Sequence, residues 1–395
     1  MLLGILAFIF LGIASGTLTG LIPGIHINLV GAFLISLNKY FQEINPLYLV
    51  VFISSMAITH TFLDFIPSIF LGCPDTSTEL SILPGHELLK KGRGYEAVML
   101  TAYGSISAIL LLIILAFPSI VIISKTYSFL KKIIPYMLII ISLVLILVEK
   151  QKTKSLLVFL LSGCLGLIVL DSKINQPLLP LLTGLFGGSM IIMSIKNKVK
   201  IPKQQNPKKI KAPLLRPLAG TMISSPLCSF LPGLGSGQAA VIGNFFSKTN
   251  KKGFLVLLGA TNTLVMGFSF LSLYTISKTR TGAAVAIQKI LGSLTLKILI
   301  LILISCIISG IVSFFLTSFL AKNFSKKIDK LNYTFLSLLT LFILIIVVLS
   351  VSGFFGLIIL VISTLTGIYC TSLNVKRTHM MGCLLLPVIF YYFNL

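Results

Sequence analysis

A histidine and an aspartate, four residues apart, are the side chains of this sequence best suited to chemistry inside an apolar setting. Asp64 is the one acid that lies well within an apolar stretch, and a helix would place His60 on the same face. Because a charge within a membrane segment is costly, such a group is a functional candidate by default. The pair predicts ion coupling, in which Asp64 holds Na⁺ or relays a proton with His60. The competing interpretations are a hydrogen-bonded packing pair and a helix end before Pro67.

Polar motifs recur in the same order in the two halves of the chain, at an offset of 202 residues. Thr59-His60-Thr61 corresponds to Thr261-Asn262-Thr263, and residues 75–78 correspond to 277–280. Self-similarity at a fixed offset indicates an internal duplication. We therefore expect the polar side chains of both copies to contact substrate, with further contacts from the two later loops. Those loop candidates are Pro74, Asp75, Thr76, Lys278 and Arg280.

Each half also carries two small residues followed by a Pro-Gly pair, which interrupts an apolar run. Freed backbone groups are tolerated in lipid only where they face protein or a water-filled cavity. A helix that begins after such a break points its amide donors at that cavity, which favours an anion. Two breaks in corresponding positions predict a binding site between the halves, although one Pro-Gly alone is more often a kink. The residues concerned are Gly16, Gly20, Pro23, Gly24, His26 and Asn28, and Ser225, Ser229, Pro232, Gly233, Gly235, Ser236, Gly237 and Gln238.

Two of these groups have a second interpretation. His26 and Asn28 either reach the substrate or coupling ion or satisfy freed backbone groups locally. Lys278 and Arg280 either bind a carboxylate or are basic residues flanking a membrane segment. The cluster at 235–238, with flexible backbone and a hydroxyl, is suited to an oxyanion.

The elements that must hold these residues follow from the composition. Of the 395 residues, 56% are hydrophobic and only 10% are charged, and apolar runs of 18 or more residues recur. This pattern excludes a soluble enzyme, a disulfide scaffold, a coiled coil and an outer-membrane barrel. It predicts an all-α polytopic protein of the cell membrane, with two pseudo-symmetric halves and broken or re-entrant helices. We expect about ten to twelve membrane segments.

The net charge of +23 comes from basic residues in the connections between apolar runs. Such residues act as topology signals and contact anionic lipids, and no pattern typical of nucleic-acid binding accompanies them. The basic linker 196–216 is predicted to be solvated and cytoplasmic, between a first membrane repeat at 1–195 and a second at 217–395. Smaller loops are predicted around Lys125–Lys132 and His86–Arg93, the latter with a solvated face.

Six cysteines are present without a Cys-x-x-Cys pair, and no hydrolase, Walker or metalloprotease motif occurs. We therefore expect no enzyme activity, no disulfide framework, no metal site and no cofactor beyond a coupling ion.

The motifs resemble the large permease of the tripartite tricarboxylate transporter (TctA) family. The Pro-Gly elements of both halves, the segment 68–78 and the loop 83–94 carry the resemblance, and Asn262 matches an Asn of the family's second half. Asp75 and Thr76 stand where the family has Gly and Glu. The resemblance implies uptake of carboxylates driven by an ion gradient. It also implies two partners, a small membrane subunit and an extracytoplasmic binding protein.

We therefore expect a secondary transporter of organic anions, di- or tricarboxylates, with Na⁺ or H⁺ as coupling ion. Alternating access would operate around a midplane site between the two broken-helix repeats. One alternative is a flippase for a lipid phosphate such as polyprenyl phosphate. Another is a membrane scaffold that transports nothing.

Overall fold

The protein is all-helical in the part of the chain that the computed structural model describes. That part comprises residues 2–22, 44–72, 78–196, 201–205, 207, 209–230, 235–278, 281–328 and 333–393. In chain order the helices are α1 (Leu2–Leu21), α2 (Pro46–Leu63), α3 (Phe65–Leu71), α4 (Ile82–Lys90), α5 (Gly94–Val148), α6 (Lys152–Asp171), α7 (Leu178–Leu182), α8 (Ser189–Lys196), α9 (Leu215–Phe230), α10 (Ser236–Ser247), α11 (Lys251–Ile276), α12 (Gly282–Leu291), α13 (Leu296–Lys327), α14 (Tyr333–Ser372) and α15 (Gly382–Phe393). A π-helical segment, Thr183–Gly188, joins α7 to α8, and short 3-10 turns occupy Glu79–Ser81 and Arg377–Met381.

Seven of the described helical stretches are long and apolar enough to cross a bilayer. They are Leu2–Leu21, Pro46–Leu71, Gly94–Phe129, Lys152–Asp171, Lys251–Ile276, Leu296–Lys327 and Thr334–Ser372. This confirms the prediction of an all-α, multi-pass membrane protein. Three further apolar stretches are shorter, so the predicted total of membrane segments stays a prediction.

The core of the fold is an antiparallel pair, α2 and α11. Both helices are almost entirely buried, as expected of helices that are apolar all round. Asn45 caps α2 and Asn250 caps α11, each with a side-chain oxygen that accepts from a backbone amide of the first turn. The antiparallel direction follows from their neighbours, because α12, which follows the end of α11, packs against the start of α2.

The start of α11 lies on a face rich in cations, which we call the basic face and define by Lys90, Arg93, Lys251, Lys252, Lys376 and Arg377. Lys252 forms an ion pair with Glu96 at the start of α5, 2.9 Å apart, and Lys251 pairs with Glu87 of α4. These pairs bring the end of α4 and the starts of α5 and α11 together.

The linker that we predicted to be solvated is in part docked on this face. The amide of Gln205 donates to the carbonyl of Gly92 at 2.7 Å, and Gln204 Oε1 accepts from the amide of Gly94 at 2.9 Å. Ile201 is buried. The turn between α4 and α5 leaves backbone groups that the linker satisfies. Pro202, Lys203 and Gln205 are nevertheless exposed, and the prediction of a solvated cytoplasmic linker stays a prediction.

We predicted a loop at Lys125–Lys132. The backbone there is helical, because α5 is assigned as helix from Gly94 to Val148. The chain nevertheless reverses direction there. Glu96 and Glu149, near its two ends, both lie at the basic face, since Lys376 pairs with Glu149 at 3.3 Å. Pro118 and Pro135 lie within the helix and are the residue type that bends helices.

A second reversal is formed by α9 and α10, which pack side by side as an antiparallel hairpin. A Cβ at Gly220 would lie 2.5 Å from the carbonyl oxygen of Gly243, so only glycine permits this approach. The outer ends of both helices lie near the start of α11, and the inner end of α9 reaches its middle, where Ser229 Oγ donates to the carbonyl of Val265 at 3.4 Å. The described part of α9 therefore ends beside the middle of α11.

Candidate functional site

The two Thr-x-Thr motifs meet where α2 crosses α11. The hydroxyl oxygens of Thr61 and Thr263 are 3.0 Å apart. Because Thr61 already donates to the carbonyl of Ile58 at 2.8 Å, Thr263 is the donor in this pair. The structure thus brings together two residues that the offset of 202 had paired. We call this place the crossing and define it by Thr59–Asp64 and Thr261–Val265.

An acid and an amide from the two halves join directly at the crossing. Asn262 Nδ2 donates to Asp64 Oδ2 at 2.7 Å and lies 3.5 Å from the carbonyl oxygen of Thr61. Asp64 and Asn262 each have only 4% of their surface exposed. Because a buried carboxyl group is costly to leave unbonded, this hydrogen bond fixes the position of the Asp64 side chain.

Of the other predicted polar residues of the crossing, Thr59 and His60 contact neighbouring helices and Thr261 bonds within its own helix. Thr59 accepts from Ser313 of α13 at 3.0 Å, and the ring of His60 lies with Nδ1 3.2 Å from the hydroxyl of Thr19 on α1. Thr261 donates to the carbonyl of Leu257 within its own helix at 2.9 Å. His60 and Asp64 share a face of α2, as predicted, and their side chains have contacts on different helices.

The small residues before the first break let α1 approach α2 at the crossing. A Cβ at Gly16 would lie 2.7 Å from Thr59 Cβ, and one at Gly20 would lie 2.9 Å from Leu63 Cβ. In the second half, Ser229 contacts α11 at Val265, which stands at the offset of 202 from Leu63. The small residues that precede the break in each half, Gly16 and Gly20 on α1 and Ser229 on α9, therefore lie beside the crossing.

Ten of the predicted site residues lie outside the described part of the chain. They are Pro23, Gly24, His26, Asn28, Pro74, Asp75, Thr76, Pro232, Gly233 and Arg280. Their contribution to the site stays a prediction.

The start of α10 carries the predicted oxyanion cluster. Ser236, Gly237 and Gln238 are buried in its first turn. Gln238 Oε1 accepts from the amide of Gly235 at 2.6 Å, so this side chain caps its own helix. The remaining first-turn amides and the positive end of the helix dipole are the groups that suit an anion here.

Lys278 is not at the crossing. It follows the far end of α11, about 20 Å along the helix from Thr263 at 1.5 Å per residue. Its ammonium nitrogen lies 5.5 Å from the centre of the Tyr127 ring. This position agrees with a basic residue flanking a membrane segment.

Sequence reasoning missed several hydroxyls that support the crossing. Ser68 donates to the carbonyl of Asp64 at 2.9 Å and contacts Thr78 Oγ1 at 2.5 Å. On α13, hydroxyl residues recur every four positions, which places them on one face toward α2, and two of them pair with α2 at Ser54 and Thr59. That spacing was readable in the sequence as Ser305, Ser309, Ser313 and Thr317.

These contacts bring hydroxyl, amide and carboxyl groups of α1, α2, α11 and α13 together at the crossing. In the described part of the chain, no three His, Cys, Asp or Glu residues come together as they would around a transition metal.

Comparisons with known proteins agree with this architecture. The model of the tripartite tricarboxylate transporter TctA family matches residues 6–382. An uncharacterized protein of Methanocaldococcus jannaschii is 32% identical over 403 residues, which cover 98% of each chain. No solved structure matches. A match over nearly the whole length, to a family of multi-pass membrane transporters, shows that the chain belongs to the tripartite tricarboxylate transporter TctA family.

Proposed function

We propose that this protein is a secondary active transporter of di- and tricarboxylates whose substrate binds at the crossing, between the ends of α1 and α9. The observation that carries the proposal is the hydrogen bond between Asp64 and Asn262, which joins the two halves beside the small residues that precede the break in each half. A buried carboxylate is costly inside a membrane protein and is retained where it serves transport.

The substrate and the coupling ion bind to different groups at the crossing. Substrate carboxylates suit the positive end of α10 and the break segments before it, because amide donors bind an anion without a buried counter-charge. The coupling ion suits Asp64 and its neighbouring oxygens. Na⁺ binding or protonation at Asp64 neutralises its charge and lowers the electrostatic cost of bringing an anion close.

We further propose that the two halves are inverted repeats that move against each other. Three observations support this. α2 and α11 are antiparallel and touch at Thr61 and Thr263. α4 lies beside the start of α11, and α12 lies beside the start of α2. Helix pairs related in this way alternate access by rocking about a fixed site.

Membership in a tripartite family implies further subunits. We propose a small membrane subunit and an extracytoplasmic binding protein as partners, and anionic lipids as contacts of the basic face.

The test is uptake of labelled citrate and succinate into liposomes under an imposed Na⁺ or proton gradient, with and without candidate partner subunits. Asp64→Asn keeps a hydrogen-bonding group for Asn262 and removes the charge, so we expect uptake to fall by about a hundredfold or more. Asp171→Asn is the matched control, because Asp171 is an exposed acid at the end of α6. It should leave uptake unchanged.

The outcomes separate the competing functions. Gradient-driven uptake in the wild type that fails only in Asp64→Asn supports the proposal. Scrambling of a polyprenyl phosphate without uptake of any carboxylate would sink it in favour of the lipid flippase. Equal uptake by the wild type and Asp64→Asn would remove Asp64 from the coupling site.

A further inference from the structure

A buried histidine lies at the basic face, one helix beyond the crossing. Only 3% of the surface of His86 in α4 is exposed, and its Nε2 has no hydrogen-bond partner among the residues that the structure describes. Our expectation of a solvated face was wrong for this residue, because α4 packs against α3 and α5. Gly72, which ends α3 with φ +71°, makes room for the ring, since a Cβ there would lie 2.9 Å from Nε2.

The guanidinium of Arg377 lies close enough to His86 to act on it electrostatically. Arg377 donates to the carbonyl of Phe186 at 3.4 Å and to the sulfur of Met190 at 3.7 Å, both weak contacts. Within the described part of the chain it has no acidic partner. Burial lowers the pKa of Arg377 to about 10, which leaves it charged at neutral pH.

The side chain of Met190 connects the two groups. Its Cγ would lie 3.8 Å from a Cβ at Gly72, and its sulfur contacts Arg377. Methionine is unbranched and flexible, and it moves readily when a ligand enters. Met190 therefore contacts Arg377 and lies beside Gly72, which borders the ring of His86.

The chemistry of this arrangement suits an anion. A buried ring nitrogen without a hydrogen bond and a largely buried cation with no acid beside it among the described residues each destabilise the protein. Burial, together with the charges of Lys90 and Arg377, lowers the pKa of His86 to about 3, so the ring is neutral and can donate through Nε2. Imidazole N–H and guanidinium N–H groups are both donors from which a carboxylate accepts.

A polar stripe leads to this region from the crossing. Residues four apart share a helix face, and that face of α2 and α3 carries His60, Asp64, Ser68 and then Gly72. The bond between Ser68 and Thr78 lies on the same stripe.

From this geometry we propose that His86 and Arg377 form a second anion site, at the basic-face end of the transport path, which binds a carboxylate of the transported substrate. The identity of the ligand rests on the proposed function, whereas the existence of the site does not.

Binding of citrate to the full-length, detergent-purified protein tests the site without transport. The readout is the imidazole NMR signal of His86, identified by its loss in His86→Asn. We expect citrate to shift this signal, and Arg377→Gln to weaken that response at least tenfold. Arg377→Lys, which keeps the charge and loses the planar fork, should fall between the two. Lys376→Gln is the matched control, since Lys376 is the neighbouring cation and pairs with Glu149.

The same titration in Asp64→Asn separates the two proposals. A preserved response in a variant that does not transport supports the second site independently of the crossing. A wild type that transports citrate while the His86 signal never responds overturns the second site and leaves the proposed function standing. An equal response in Arg377→Gln also overturns it.

Two further arms identify the source of the anion. Inorganic phosphate that shifts the signal as strongly as citrate shows a general anion site and overturns the assignment to substrate. Nanodiscs of anionic lipid that shift the signal before citrate is added, when neutral lipid does not, show a headgroup site and overturn it as well.

Discussion

The crossing and the His86–Arg377 region both bury polar side chains, and they differ in how far those side chains are hydrogen-bonded. At the crossing, the bonded partners come from different halves of the chain, as in Thr61 with Thr263 and Asn262 with Asp64. At the basic face, His86 Nε2 has no partner among described residues and Arg377 has only weak ones. In this structure the polar groups of the first region bond to one another across two helices, whereas those of the second have weak partners or none among the described residues.

The difference shows where each region draws its stability. Paired hydroxyls and amides contribute about 1 kcal/mol each and fix the register of α2 against α11. Unpaired donors cost about 1–3 kcal/mol each, and proteins keep such groups where binding requires them. The two regions therefore differ in whether the protein's own side chains satisfy the buried polar groups.

The largest expected effect comes from separating α1 from α2 beside the crossing. In Gly16→Leu the new side chain begins 2.5 Å from the carbonyl oxygen of Met56, so one helix must move. We expect the free energy of unfolding to fall by about 3 kcal/mol. Thermal midpoints in detergent measure this. Ala14→Leu, on the exposed side of the same helix, should be neutral, and equal effects in both would show that α1 does not pack here.

Acidification should weaken the His86 region through His86. The pKa of His86 is below its unfolded value of 6.5, so the unfolded chain binds more protons once the pH falls through 6.5. The stabilisation is present above that pH and is lost progressively down to about pH 3. Between about pH 6.5 and about pH 4.5 we expect a loss of roughly 2–3 kcal/mol.

His86→Gln should remove this share of the pH dependence, because glutamine does not titrate. The comparison uses denaturation midpoints of both proteins across that pH range. Parallel curves would mean that the imidazole is as easily protonated in the folded state as in the unfolded one.

A smaller effect is expected from the hydroxyl pair at the crossing. A double-mutant cycle with Thr61→Val and Thr263→Val should give a coupling energy of about 1 kcal/mol. The cycle with Ser54→Ala and Ser305→Ala, a similar pair 2.7 Å apart between α2 and α13, should give a similar coupling. Transport should fall in the first cycle and not in the second. Equal transport in both would remove the Thr61–Thr263 joint from the site.

The smallest effect is expected at the exposed ion pair of Lys376 with Glu149. Lys376 has 68% of its side chain exposed, and exposed pairs contribute about 0–1 kcal/mol. Lys376→Gln should therefore change the thermal midpoint little. A large loss would show that this pair anchors the Arg377–Met381 turn.

Much of the fold and part of the site were predictable from local patterns. Continuous apolar runs predicted the long helices, and the repeated Thr-x-Thr motif predicted a polar region at the place where α2 and α11 touch. Local patterns did not predict the helical backbone of Lys125–Lys132 or the docking of 201–205, because both depend on contacts with distant segments. The burial of His86 was missed because α4 is charged and short, and only packing against α3 and α5 removes that ring from water.

Composition and motif order by themselves indicated a multi-pass helical transporter of the TctA family. The long apolar runs predict which segments lie in a membrane, and the order of the motifs can be read from the sequence without knowing how the chain folds. Tertiary structure alone decided that Asn262 binds Asp64 and that His86 lies near Arg377. Those partners stand 198 and 291 positions apart in the sequence, and no local propensity acts over such separations. The crossing of the antiparallel helices α2 and α11 brings Asn262 to Asp64. The turn Arg377–Met381 lies at the basic face and brings Arg377 near His86.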